Sequence, residues 1–230
     1  DVGGNIGWFT LLSMSAATST DQPLEVRTFE PNPKNQLRFC ESMHLNGWDH
    51  RHYRDGSGSI TSSYVNLYPY GVTNSELSGT SISMQVQSSG TGALLKNEPK
   101  KGGEDIKTVS LVSLDEMNEK VWKEDDPETT SRILILKVDV EGLEFDVFQG
   151  ATKLIQSGRV ENIFFEGNLR RPQEQRQFEK LVTQLAKAGY RLFKQGGWMG
   201  PQQMVSTTTK LSPNQDFTRD ELKSYTDELK

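Results

Sequence analysis

A chain of 230 residues is long enough for one α/β domain with a full core and too short to promise two. Its net charge of −5 and pI near 5.4 argue against a nucleic-acid backbone as the main partner, since that term needs clustered Lys and Arg and only the pairs Lys100-Lys101 and Arg170-Arg171 occur. The single cysteine, Cys40, excludes an intrachain disulfide framework and is compatible with a reducing compartment such as the cytoplasm, while no apolar run approaches a membrane span and no signal peptide is visible.

The chain opens on Asp1-Val2-Gly3-Gly4-Asn5-Ile6-Gly7, followed by Trp8, Phe9, Thr10, Leu11 and Leu12. Three glycines ahead of an apolar run describe a strand end turning tightly into a helix. Unpaired backbone N–H groups and the absence of side chains there admit a nucleotide; a purely structural tight turn is the alternative. Because the chain starts inside this turn, the strand that delivers Asp1 is read as largely missing and the sequence as a fragment, with a targeting segment or anchor left open upstream. The first helix is predicted from Gly7 to about Ala17, with Trp8, Leu11, Leu12 and Met14 on its buried side. Leu24 to Phe29 alternates as a strand and ends in Glu30-Pro31-Asn32-Pro33. An acid about 20 residues beyond a glycine turn, at the tip of the second strand of a β-α-β unit, is placed to accept hydrogen bonds from ribose hydroxyls. An ordinary solvated acid ahead of a helix is the plain alternative.

Asn32 as N-cap and Pro33 at the first helical position predict a second helix to about Leu45, stopped by Asn46-Gly47, with Leu37, Cys40 and His44 on one face. Trp48 to Ser63 is a charged, glycine- and serine-rich loop whose His50 and His52 lack the partners that complete a metal site. Tyr64 to Val72 reads as the third strand, turning at Gly71-Val72-Thr73-Asn74. Thr80 to Val86 and Ile106 to Leu114 then read as two extra strands around a polar loop, Gln87 to Asp105, in which Gly102-Gly103 offers a hinge; such additions commonly shape a substrate pocket. Asp115 to Trp122 is predicted as a short helix and Lys123 to Ser131 as an exposed connection.

Ile133 to Leu136 is a continuous apolar run, the mark of a strand buried on both faces of a parallel sheet. If the strand stays regular beyond it, Lys137, Asp139 and Glu141 share one side of its tip. The next helix, Leu143 to Ser157, carries a stripe of Val147, Phe148, Ala151, Leu154 and Ile155, and the strand Val160 to Phe165 ends in Glu166-Gly167-Asn168. Pro172 opens a helix with Phe178, Leu181, Val182 and Leu185 at helical spacing, ended by Gly189. Tyr190 to Lys194 and Gln202 to Thr208 close the fold as an antiparallel hairpin. The alternation predicts an α/β fold with a doubly wound, mostly parallel sheet and its ligand at the carboxyl ends of the strands.

Three stretches together, Asp1 to Thr10, Phe29 to Pro33 and Leu136 to Glu144, resemble the signatures of the FkbM-type S-adenosylmethionine-dependent methyltransferases, in the same order and across residues 1 to about 210. The resemblance implies a class I methyltransferase domain over 1–211 followed by a polar tail, 212–230. It also implies S-adenosyl-L-methionine as cofactor and, most often, a hydroxyl of a sugar or natural product as acceptor: a small molecule or glycan, not a nucleic acid. On this reading Gly3, Gly4, Asn5 and Gly7 surround the amino-acid part and ribose of the cofactor. Asp1 orients that loop, Glu30 takes the ribose hydroxyls, and the turn at Val72 closes over the adenine without the acid that many methyltransferases place there.

Methyl transfer to an alcohol also requires loss of the hydroxyl proton, for which a positioned carboxylate serves. Asp139 is the candidate general base or acceptor-positioning group, with Glu141 orienting it or binding acceptor hydroxyls and Glu166 a third carboxylate. Lys137, if paired with Asp139, lowers its basicity. Against this stand a helix-capping role for Asp139 and a structural Lys137–Glu141 ion pair. A divalent metal on Asp139 and Glu141 finds no supporting ligand count. Two other functions stay open: a dinucleotide-dependent oxidoreductase, although the first glycine of its fingerprint falls on Val2, and a methyltransferase-like interaction module without turnover. Oligomeric state and the identity of the acceptor are not legible.

Overall fold

A computed structural model describes residues 1–18, 23–48, 62–86, 92–94, 105–122, 132–167, 172–195 and 203–208. His50 and His52, both basic pairs, Gly102-Gly103, the 123–131 connection, Asn168 and the 212–230 tail lie outside the described residues. The chain falls into two compact units, Asp1–Val112 and Ser113–Lys230.

In the first unit, β1 (Glu25–Phe29) pairs in parallel with β2 (Tyr64–Tyr68), and Val2 forms a parallel bridge with Phe29 on the chain's opening segment. All three segments run the same way, so Gly3, Glu30 and Pro69 follow them at a common carboxyl edge. Helices α1 (Trp8–Thr18) and α2 (Pro33–Leu45) connect them. The bounds of α2 are those the sequence predicts: Asn32 accepts from Lys34 N at 3.0 Å, Pro33 occupies the first turn, and Asn46 precedes Gly47 at φ +68°.

Burial corrects the predicted faces of both helices. α1 turns Thr10, Met14 and Ala17 inward and leaves Trp8 69% and Leu12 58% exposed. Its rotation is set by the hydroxyl of Thr10, tied to Asp1 and Thr28, which outweighs the count of apolar residues on the other side. α2 buries Asn35 and Phe39, one bonded to Glu30 and the other packed against Gly7, while Leu37, Cys40 and His44 face out.

The run from Tyr64 to Val72 is two strands. Pro69 has no N–H to give a ladder, and β2 ends at Tyr68; Gly71–Val72 (β3) then pairs in parallel with β6 (Asp105–Val112). Gly71 to Thr73 is therefore extended, with Thr73 N donating to Val112 O at 2.9 Å, and the turn comes at 75–79. β6 also pairs antiparallel with β4 (Ser81–Val86), and β4 with β5 (Gly92–Leu94), a strand inside the segment read as loop. Met84, Val86 and Val109 form the core of this sheet, with Ile82 against them.

The second unit opens with α3 (Leu114–Met117), capped by Ser113 Oγ on Glu116 N, running into a π-helical turn, Asn118–Trp122. β7 (Ile133–Val138) and β8 (Val160–Gly167) are parallel, and β9 (Leu192–Gln195) with β10 (Gln203–Thr208) forms the expected hairpin, added antiparallel to β8. The order is β7-β8-β10-β9. β7 is buried only in its carboxyl half: Leu134 and Ile135 are about half exposed.

The long helix predicted from Leu143 is two, α4 (Glu144–Gln149) and α5 (Thr152–Gln156), although all five residues of the predicted stripe are buried. Asp115 holds the break. Its N–H donates to Gly150 O at 2.8 Å, and its carboxylate accepts from Lys153 N at 3.0 Å and Leu154 N at 2.9 Å. α6 (Pro172–Lys187) buries Phe178, Leu181, Val182 and Leu185 as its spacing predicts, and Phe165 packs edge-on to Phe148 with ring centres 5.1 Å apart. Tyr190 donates to Val160 O at 2.6 Å, and burial pushes its hydroxyl up to about 12. Among the described residues no helix is long and apolar enough to cross a membrane.

Asp115→Ala removes two charge-assisted bonds and is expected to cost on the order of 2–4 kcal/mol in urea denaturation, against a smaller loss for Asp115→Asn. Equal stability of Asp115→Ala and the parent would mean that packing alone holds the break.

Candidate functional site

The glycine turn is tied backbone to backbone to the tip of β1. Asp1 N donates to Arg27 O at 2.8 Å, Phe29 N to Asp1 O at 2.9 Å, and Phe29 O accepts from both Gly3 N and Gly4 N, at 3.0 and 2.9 Å. Gly7 N then closes on Gly4 O at 2.8 Å, and Leu11 N on Gly7 O starts α1. Gly3 and Gly7 take φ +80° and +90°, and Asn5, though not glycine, takes +50°. A Cβ at Gly4 collides with Thr28 Cγ2 and one at Gly7 with the ring of Phe39. Two of the glycines are thus required by close packing within the protein, whatever they also offer a ligand.

Glu30 is buried, which removes the solvated-acid alternative. One carboxylate oxygen accepts from Asn5 N at 2.7 Å, the other from Asn32 N at 2.8 Å and Asn35 Nδ2 at 3.3 Å. Its own N–H donates to Tyr68 O at 3.1 Å, its carbonyl accepts from Gln36 Nε2 at 2.7 Å, and the Phe29 and Tyr68 rings stack 4.9 Å apart beside it. Asp1 accepts from Thr10 Oγ1 at 2.8 Å; with that proton committed, the 2.7 Å contact between Thr10 and Thr28 uses the proton of Thr28. The structure therefore brings Asp1, Gly3, Gly4, Asn5, Gly7 and Glu30 together at one carboxyl edge. Val72 is buried in β3, an extended segment rather than the expected turn. Sequence reasoning missed Asn35, Thr10 and Thr28; an amide in the first turn of a capped helix, close behind the acid, was the signal for the first.

In the second unit the regular strand ends at Val138, so the alternation that groups Lys137, Asp139 and Glu141 stops short of Glu141. Lys137, buried, places its Nζ 3.5 Å from Asp139 Oδ2. Glu141 is exposed in a turn with φ +55°, followed by Gly142 at +95°. The capping role offered to Asp139 is not seen: Leu143 stands at the N-cap of α4 with no side-chain bond, and the buried Glu144 Oε1 instead ties down the loop ahead of the helix, accepting from Gly142 N at 3.0 Å and Val140 N at 3.2 Å. Burial raises the Glu144 carboxyl above the ordinary range, and the nearby Asp139 carboxylate adds to this against the backbone bonds. Val138 lies opposite Phe165 in the parallel ladder, so Asp139 and Glu166 follow at one carboxyl edge. No cluster of three or more metal-ligating side chains occurs among the described residues.

A family model described as the methyltransferase FkbM domain matches residues 1–192. Among solved structures, methyltransferase FkbM from Methylobacillus flagellatus KT is similar at a TM-score of 0.55 and 10% identity, over 91% of this chain and 42% of that one. This likeness shows the fold, the Rossmann-like arrangement of a class I methyltransferase, and the chain spans 42% of that relative's length. No curated protein matches.

Gly7→Ala combines a left-handed backbone with overpacking against Phe39 and is expected to cost on the order of 2–4 kcal/mol in urea unfolding. Gly47→Ala has a similar φ and open space around it, and should lose only about 1 kcal/mol. For Glu144 the folded state holds the proton more tightly than the unfolded chain. The associated stability is present below the ordinary glutamate pKa and is lost as pH rises through the raised folded value. The unfolding free energy of the parent relative to Glu144→Gln should therefore fall from pH 4.5 upward; a difference flat with pH would contradict it.

Proposed function

The chain belongs to the FkbM methyltransferase family, and on that premise we propose that it is an S-adenosylmethionine-dependent methyltransferase acting on a hydroxyl of a sugar or natural-product acceptor. The observation that carries the cofactor reading is the buried Glu30 carboxylate at the β1 tip, fixed through Asn5 N at 2.7 Å to a glycine turn. A rigid carboxylate beside exposed backbone suits a vicinal diol, whose two hydroxyls are both donors. In this proposal Gly3, Gly4, Asn5 and Gly7 border the amino-acid part and ribose, Asp1 holds the loop through Thr10 and Glu30 accepts from the ribose hydroxyls.

When bound, the cofactor would supply an activated methyl group on a sulfonium, whose transfer to the acceptor oxygen breaks the carbon–sulfur bond and leaves a neutral thioether, S-adenosylhomocysteine. The chain's own part is to orient the acceptor, exclude water and take a proton. Asp139 Oδ1 or Oδ2 takes the hydroxyl proton, with Lys137 Nζ, 3.5 Å from Oδ2, fixing the carboxylate's orientation. Glu141, exposed in the adjoining turn, binds further acceptor hydroxyls. A small molecule or glycan fits this chemistry, and the site does not require a nucleic acid.

Calorimetric titration of the protein with S-adenosylmethionine, S-adenosylhomocysteine and NADH, beside Glu30→Ala and Glu30→Gln, tests the reading. Both adenosyl ligands should bind, and Glu30→Ala should weaken them by on the order of 2–5 kcal/mol if two charge-assisted bonds are lost. Glu30→Gln keeps one acceptor oxygen for the Asn5 turn and separates ligand loss from misfolding. Binding of NADH alone would replace the proposal with a dinucleotide enzyme, and silence with all three would favour an interaction module.

A further inference from the structure

The turn after β7 is held in a conformation that needs a cause. Glu141 carries a Cβ at φ +55°, a backbone that L residues other than glycine avoid, and Gly142 follows at +95°. The N–H groups on either side, those of Val140 and Gly142, converge on one oxygen of Glu144, at 3.2 and 3.0 Å. The two bonds pin the peptide planes 139–140 and 141–142 to one oxygen, and so constrain the two residues between those planes, Val140 and Glu141. The pin is a buried carboxylate. Nothing in the packing of α4 requires a side chain at Glu141, which is exposed; glycine would occupy the position without strain.

We propose that Glu144 is a positioning residue. It clamps residues 140–142 so that Glu141 is kept left-handed, and the turn presents Asp139 and Glu141 to the acceptor in one fixed arrangement. The use of the two carboxylates rests on the methyltransferase reading; the clamp itself does not. Strain kept at a non-glycine residue is the expected cost of a side chain with work to do there.

The clamp is tested by a double-mutant cycle on thermal unfolding. Glu141→Gly relieves the strain and should raise the midpoint by about 2–4 °C. In the Glu144→Ala background the turn is already free to relax, so the same change should bring no such gain; additive effects would overturn the clamp. The catalytic half is read from transfer of tritium-labelled methyl groups to pooled nucleotide sugars and free monosaccharides. Glu144→Ala should lower kcat by about 100-fold, the scale of a 1 Å misplacement, with S-adenosylhomocysteine affinity unchanged by calorimetry. Glu144→Gln, which keeps an oxygen acceptor at the same place, should recover most of that loss. An unchanged kcat in Glu144→Ala, or equal losses in Glu144→Ala and Glu144→Gln, would overturn the positioning role. Failure of the parent to bind either adenosyl ligand would sink the methyltransferase reading and the catalytic half with it, while the cycle would still decide the clamp.

Discussion

A buried carboxylate taking backbone N–H groups is the constraint on which the first unit depends. Glu30 joins two pieces of chain: the glycine turn through Asn5 N, and the first turn of α2 through Asn32 N and Asn35 Nδ2. Burying a charge is expensive unless donors meet it, and here three do: Asn5 N in the loop and Asn32 N at the helix N-terminus, and the side-chain amide of Asn35. The desolvation of Glu30 and the open ends of the local backbone offset one another. The same oxygens stand at the carboxyl edge of β1 and β2, so what fixes the fold there also shapes that edge.

The second unit repeats the device at its own strand-to-helix junction. Glu144 takes Val140 N and Gly142 N as Glu30 takes Asn5 N and Asn32 N. In both places a non-glycine residue sits in the left-handed region, Asn5 at φ +50° and Glu141 at +55°. Asn tolerates that backbone better than Glu does, since its short amide bonds locally. The contrast makes the turn after β7 the more constrained of the two.

Packing sets limits on what each glycine means. Gly4 and Gly7 are required by Thr28 and Phe39, so their presence would be needed in this fold with no ligand at all. Gly3, at φ +80°, is required by backbone conformation. A glycine-rich turn therefore reports a close approach of chain to chain first, and a ligand only in combination with the acid at the end of the next strand.

Local chemistry was legible wherever it was strong. Asn32-Pro33 and Asn46-Gly47 bracket α2 because caps act within one turn, and the stripe of Phe178, Leu181, Val182 and Leu185 is the buried face of α6 because its 3.6 period has no polar competitor. Three outcomes depended on partners distant in sequence. Thr10 rotated α1 away from its apolar residues toward Asp1 and Thr28; Asp115 broke the helix at Gly150; Pro69 split a strand whose second half found β6. The sequence alone determined the alternation of strands and helices, the ends of α2 and α6 and the residue types gathered at the strand tips, since these follow from propensity, capping and periodicity. Tertiary structure decided which carboxylates are buried and what they hold, because desolvation and hydrogen-bond partners exist only once segments far apart in the chain are brought together.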